Sequence, residues 1–196
     1  FSIAFLIMFI GGGNALAQTD YDMFMGESNS IHFFERQNSG AGSMSFSAVT
    51  GGSNPFNGLD PGQRAAPAFV DIDGDGDQDC FVGEYGGTIV YYRNTGSSTS
   101  ATFVAQTGSD NPLSSDNGFT DVGWSAAPAF VDIDGDGDYD CFIGDYDGKT
   151  EYYKNNGNSS VPDFDHVTGS NNPFDHVDFD PGGSSTPAFV DIDGDG

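Results

Sequence analysis

The chain has 196 residues and carries 30 acids against 5 basic residues, a formal net charge of −25. Gripping nucleic-acid phosphates or docking on anionic lipid needs a basic face, and the balance of charge argues against both. Of the acids 26 are Asp and 4 are Glu, and Gly (29) and Phe (18) are abundant, which together point to an all-β, turn-rich chain with short-armed carboxylates suited to turns and metal loops.

The first segment, Phe1–Ile10, reads FSIAFLIMFI and runs through Gly11-Gly12-Gly13-Asn14 to Ala15-Leu16-Ala17. An apolar run followed by A-x-A is the layout of a secretory signal with cleavage after Ala17, here without its basic n-region. The run is too short to span a bilayer, which takes about 20 apolar residues. Residues 1–17 are therefore expected to be a signal peptide, and the product to be secreted or held at the cell surface. The alternative is a buried N-terminal strand or helix.

From there the chain repeats itself. Ala66–Asp77 (APAFVDIDGDGD) returns at Ala127–Asp138, and its first part returns at Thr186–Gly196. Pro67 and Pro128 are 61 residues apart, and Pro128 and Pro187 are 59 apart. Cys80–Asn94 (CFVGEYGGTIVYYRN) matches Cys141–Asn155 (CFIGDYDGKTEYYKN), and Asn111-Pro112 matches Asn172-Pro173. A worn copy comes first, with Asp22–Glu27 aligned on Asp79–Glu84, Phe33-Phe34-Glu35-Arg36 on the YYRN string, and Asn54-Pro55 on Asn111-Pro112. The expected units are 18–66, 67–127, 128–186 and the start of another at 187–196. The last unit stops inside its acidic string, so a longer reading frame is expected. A fixed period of this length marks solenoids, propellers or arrays.

Within a unit the local signals are strands. Pro67–Val70 is short and apolar, while Cys80–Tyr85 and Thr88–Arg93 are β-branched and aromatic and are separated by Gly86-Gly87. Ala101–Gln106 is the fourth candidate. No window shows a helical stripe. Four short strands per unit predict a partial β-propeller of four-stranded antiparallel blades, about three repeats long.

The acidic strings carry the chemistry. Asp71, Asp73, Asp75, Asp77 and Asp79 fall on alternate positions with Gly76 at position 6; Asp132, Asp134, Asp136, Asp138 and Asp140 repeat this with Gly137. Calcium (Ca2+) takes six to eight oxygens at about 2.3–2.6 Å, and a tight loop of alternating acids points several carboxylates inward. Two like charges 4 Å apart repel by roughly 4 kcal/mol at an effective dielectric of about 20, so converging carboxylates call for a cation. Position 7 of such a loop offers its carbonyl, so Asp77 and Asp138 are expected to bind through the main chain. An EF-hand needs Glu at position 12, where Val82 and Ile143 stand.

The string D-x-D-x-D-G-x-x-D after Pro-Ala-Phe-Val, followed by Phe-Val-Gly and Tyr-Tyr-Arg-Asn, resembles the FG-GAP/VCBS repeat over about residues 21–196. That family includes the calcium-binding blades of integrin α-chain propellers and many secreted bacterial proteins. The resemblance implies a structural ion in the loop joining two strands of a blade. It implies side-chain ligands at Asp71, Asp73, Asp75 and Asp79 with Asp77 as carbonyl ligand, and likewise Asp132, Asp134, Asp136, Asp140 and Asp138. Asp191, Asp193 and Asp195 match the first three ligands of a further loop. The first copy has only Asp20 and Asp22 at positions 7 and 9, and no metal is expected there.

Cys80 and Cys141 hold equivalent places, too far apart in neighbouring blades for a disulfide, and are expected as buried free thiols. His32, His166 and His176 lack metal spacing with one another. Glu27, Glu84 and Asp145 are repeat-equivalent, which suits blade structure better than acid/base work. Trp124, the single Trp, lines a groove between blades or packs there. No G-x-S-x-G elbow is present, and the chain is expected to be non-catalytic. The expected function is an exported calcium-binding propeller that binds an extracellular protein or glycan at the cell surface; the alternative is the non-catalytic propeller part of a secreted polysaccharide-degrading enzyme.

Overall fold

The computed structural model describes residues 22–38, 44–175, 177 and 183–193. Among the described residues eleven strands form three antiparallel sheets. The first holds β1 (Met23–Glu27), β2 (Ser30–Asn38) and β3 (Met44–Val49). The second holds β4 (Ala66–Val70), β5 (Asp79–Gly83), β6 (Ile89–Asn94) and β7 (Phe103–Gln106). The third holds β8 (Ala127–Val131), β9 (Asp140–Gly144), β10 (Thr150–Asn155) and β11 (Phe164–Val167). Each sheet is a meander in sequence order, as the repeat predicts. A fourth strand before β1 would fall outside the described residues, as do the expected signal segment 1–17, His176 and Asp195.

The sheets stack face to face. β1 lies against β4, and β4 against β8, so first strands neighbour first strands, as in consecutive blades. Side chains alternate across a strand, which lets β5 serve two cores. Cys80 and Val82 face the first sheet among Phe24, Ile31, Phe56, Tyr92 and Phe103. Phe81 faces the third sheet with Ile89, Tyr91, Cys141, Ile143 and Tyr153. β5 and β9 are buried along their whole length. Phe142 turns away from the second sheet and stacks on Tyr152, with Phe174 and Phe189 beyond it.

Close approach between sheets fixes one glycine per repeat. Gly83 and Gly144 end β5 and β9 and Gly26 is the last residue but one of β1, and a Cβ on each would overlap the carbonyl of Ala65, Ala126 or Ser185 in the segment that follows its sheet. The incoming chain is bonded there: Ala126 N–H donates to the Glu84 carbonyl at 3.1 Å and Ser185 N–H to that of Asp145 at 2.9 Å. The segment from Ser185 to Phe189 thus packs against the third sheet as Ala126 to Phe130 packs against the second, although residues 183–193 form no strand.

One asparagine per repeat locks the return connection. Asn54, Asn111 and Asn172 each donate a side-chain N–H to the carbonyl of Ile31, Ile89 or Thr150, and accept the backbone N–H of Phe56, Leu113 or Phe174. Such Asx turns explain the recurrent Asn-Pro. Among the described residues no helix is long and apolar enough to cross a membrane.

Candidate metal centre

The acidic strings form the turns of the first two-strand hairpin in each four-stranded sheet. Residues 71–78 close the β4–β5 hairpin above the Val70–Asp79 pair, and residues 132–139 close β8–β9 above Val131–Asp140. Both turns are wound by backbone donors on acids. In the first, Gly76 N–H donates to Asp71 Oδ2 at 3.0 Å, Asp75 N–H to Asp73 Oδ1 at 3.3 Å and Asp77 N–H to Asp75 Oδ1 at 3.2 Å. In the second, Gly137 N–H reaches Asp132 Oδ2 at 2.9 Å, and Asp136 and Asp138 N–H repeat the other two bonds. Two glycines per loop take left-handed backbone, Gly74 and Gly76 at φ 70° and 92°, Gly135 and Gly137 at 74° and 96°. That conformation favours glycine and lets the turn close.

The winding gathers three carboxylates. Asp71, Asp73 and Asp75 each bring an oxygen within 4.8 Å of the others, and Asp132, Asp134 and Asp136 do the same. Asp77, only 9% exposed, keeps its Oδ1 buried without a hydrogen-bond partner, as does Asp71 with its own Oδ1. Position 9 is different. Asp79 and Asp140 are buried beneath the loops with both oxygens engaged. Asp79 accepts the Tyr91 hydroxyl at 2.9 Å and the Asn94 N–H at 2.7 Å; Asp140 accepts Tyr152 at 3.1 Å and Asn155 at 2.8 Å. Three carboxylates thus converge in each loop, while Asp79 or Asp140 at the base of the hairpin also ties two strands together. Asp191 and Asp193 are exposed at the far end of the chain.

A strand–acidic turn–strand unit thus repeats in the two four-stranded sheets. Residues 71–143 match the family model described as an FG-GAP-like repeat. No curated protein and no solved structure matches the chain. The FG-GAP-like span runs from the first acidic loop through the second and into β9.

Electrostatics in the FG-GAP-like span follow the geometry. Burial raises the Asp79 carboxyl to about 7, against the lowering by its Asn94 and Tyr91 donors. Burial also raises Asp140. Asp77 is raised by burial first and then by Asp75, Asp73 and Asp71. The Tyr91 hydroxyl is pushed far above its ordinary value, chiefly by burial and then by Asp79.

The two FG-GAP-like loops touch a common turn. The Gly74 backbone packs so tightly on the 158–161 turn of the next repeat that a Cβ would stand 2.5 Å from the Ser159 carbonyl oxygen. The Asp138 carboxyl of the second loop is raised by burial and by Asp136, Asp132 and Asp134, while the Ser159 backbone lies near it and lowers it.

Several participants escaped the sequence reading. Arg93 on β6 contacts Asp73 at 2.5 Å and Asp75 at 3.6 Å, and Lys154 on β10 pairs with Asp134 and lies 4.0 Å from Asp136. The YYRN and YYKN strings carried that signal, because their basic residue is the only charged position both share. Asn94 and Asn155 brace the following turns, accepting Gly96 and Thr102 N–H or Gly157 and Asp163 N–H.

The remaining candidates resolve simply. Cys80 and Cys141 are free and buried, each facing a different core. His32 contacts Glu27 at 3.2 Å and His166 contacts Glu151 at 2.9 Å. Trp124 is 59% exposed and lies between Tyr85 and Tyr146, with ring centroids 6.0 Å from each.

Proposed function

We propose that the chain is an exported, calcium-binding propeller-repeat protein, with the ion structural in the loops 71–79 and 132–140. The observation that carries this reading is the buried, unpartnered Oδ1 of Asp77 and of Asp71 beside three converging carboxylates. A buried polar atom without a partner is costly, and converging like charges add to that cost. A hard divalent cation with oxygen ligands relieves both. The donor set is all oxygen, which suits calcium and not a softer metal. Asp71, Asp73, Asp75 and Asp77 would hold the ion in the first loop, and Asp132, Asp134, Asp136 and Asp138 in the second. Asp79 and Asp140 fix the strand pair on which each loop stands, and each of their oxygens has a lone pair left to contribute. The ion supplies charge neutralisation that pins the turn between β4 and β5, or β8 and β9.

The test is calorimetric titration with calcium and melting with calcium or chelator. A ligand that binds only the folded state adds about 2.7 kcal/mol at a hundredfold excess over Kd. The expected result is a clear drop in Tm with chelator, reduced in D73A and D134A. Absence of binding at millimolar calcium would overturn the reading.

We place partner binding, to an extracellular protein or glycan, on the exposed faces. The ridge formed by Tyr85, Trp124 and Tyr146 favours this, since exposed aromatic surface is enriched at recognition sites. Trp124 is the single Trp, so its fluorescence reports directly. Titration with glycan or protein ligands should shift the emission, and W124A should lose affinity. Binding unaffected by W124A would remove the ridge from consideration.

A further inference from the structure

Arg93 and Lys154 occupy the same register in successive repeats, each on the third strand of its unit and each reaching an acidic loop. The chain has 5 basic residues against 30 acids, and two of the five stand over the two loops. The first repeat offers a contrast. Phe33 pairs with Phe24 as Tyr91 pairs with Phe81, which sets Glu35 in the place of Arg93. The acidic string is also incomplete in that repeat, so the basic residue accompanies the complete loop.

A loop of carboxylates without an ion needs positive charge, and the nearest available is the guanidinium or ammonium on the adjacent strand. That head group holds the same Asp73 or Asp134 carboxylate that an ion would use. Both heads also reach solvent, with side chains 47% and 35% exposed, so each can swing clear of its loop. Building on the calcium reading above, we infer that Arg93 and Lys154 are tethered counter-cations that compete with calcium for the loop carboxylates and set each loop's affinity below that of the loop alone. In the ion-free protein they hold the acids together. On ion binding they are displaced, and their proximity disfavours the bound divalent charge.

The experiment is calorimetric calcium titration of the 196-residue chain as wild type, R93Q, K154Q and R64Q, with melting in chelator for each. Arg64 lies over the Tyr85 ring, 4.9 Å from its centroid, at the end of β4 remote from the loop. R64Q therefore removes the same charge without touching the loops. R93Q and K154Q should each tighten one calcium site about tenfold, the order expected for removing a nearby like charge from a partly solvated site. R64Q should change either site less than twofold. In chelator R93Q and K154Q should melt below wild type, since the empty loop loses its neutraliser. Calcium affinity unchanged or weakened in R93Q and K154Q overturns the counter-cation role and leaves the calcium reading standing. No calcium binding by any of the four proteins overturns both.

Discussion

The Asp79 carboxylate accepts the backbone N–H of Asn94 at 2.7 Å across the β5–β6 pair. Asp140 does the same to Asn155 at 2.8 Å, and Asp22 to Arg36 at 3.0 Å. The third case is informative, because the first repeat lacks the complete acidic string. The ninth acid therefore clasps two strands whether or not an acidic loop is present.

Asp79→Ala and Asp73→Ala should separate in chelator. Asp79→Ala leaves the Tyr91 hydroxyl and the Asn94 N–H without their buried acceptor, a loss of about 2–4 kcal/mol with or without calcium. Asp73→Ala should change the ion-free stability by under about 1 kcal/mol, since its salt bridge is partly exposed, and act mainly on the calcium increment. Denaturant melts in calcium and in chelator would distinguish them.

The pH dependence of the ion-free protein has a definite sign. The Asp79 carboxyl stands at about 7 when folded, raised by burial, and near 3.9 when unfolded. The folded state then binds the extra proton between those values, so stability falls as pH rises across them. Asp77, Asp140 and Asp145, all raised chiefly by burial, act in the same direction. In chelator the chain should melt at higher temperature at pH 5 than at pH 7.5, and calcium should shrink or reverse the difference. Equal melting at both pH values in chelator would contradict it.

Gly83→Ala should destabilise by about 2–4 kcal/mol, because its methyl group meets the Ala126 backbone and not a movable side chain. Gly76→Ala meets no atom within 4 Å, but the φ of 92° is unfavourable for a Cβ, so a loss of about 1 kcal/mol is expected. Urea unfolding of the two variants should rank them in that order.

Asn111→Ala removes a donor to the Ile89 carbonyl at 2.8 Å and an acceptor for Leu113 N–H at 3.0 Å. Both partners are buried backbone groups, so a loss of about 2–3 kcal/mol is expected. Asn111→Asp should recover part of it, since the acceptor is restored and the donor is not. Identical stability of the two variants would show that the donated bond alone matters.

Much of this architecture was legible because repetition supplies its own controls. The four strands of each complete unit follow the apolar and β-branched runs, and the Asp-rich strings fall in turns because alternating Asp with Gly cannot continue a strand. Cys80 and Cys141 were placed correctly as unpaired, since equivalent strand positions face successive cores. The division of labour among the acids was not legible. Alternate spacing treats Asp71 and Asp79 alike, and only the third dimension sets Asp79 under the loop against Tyr91 and Asn94. Arg93 and Lys154 were hidden for a related reason: a charged residue in a strand reads as solvent-facing until the hairpin loop is folded over it. The role of Gly83 as a contact with the segment that leads to the next sheet likewise depends on a neighbour 43 positions further on, the Ala126 carbonyl.

Ser159 sits between the two loops, its carbonyl against Gly74 of the preceding repeat and its backbone close to Asp138 of its own. Adjacent acidic loops are consequently neighbours in a mechanical sense, with a single residue wedged between them. If the loops take an ion as proposed, filling one would stiffen a wall of the other. Along a longer row of such units, occupancy would spread link by link, as in a one-dimensional array in which each member feels only the members beside it.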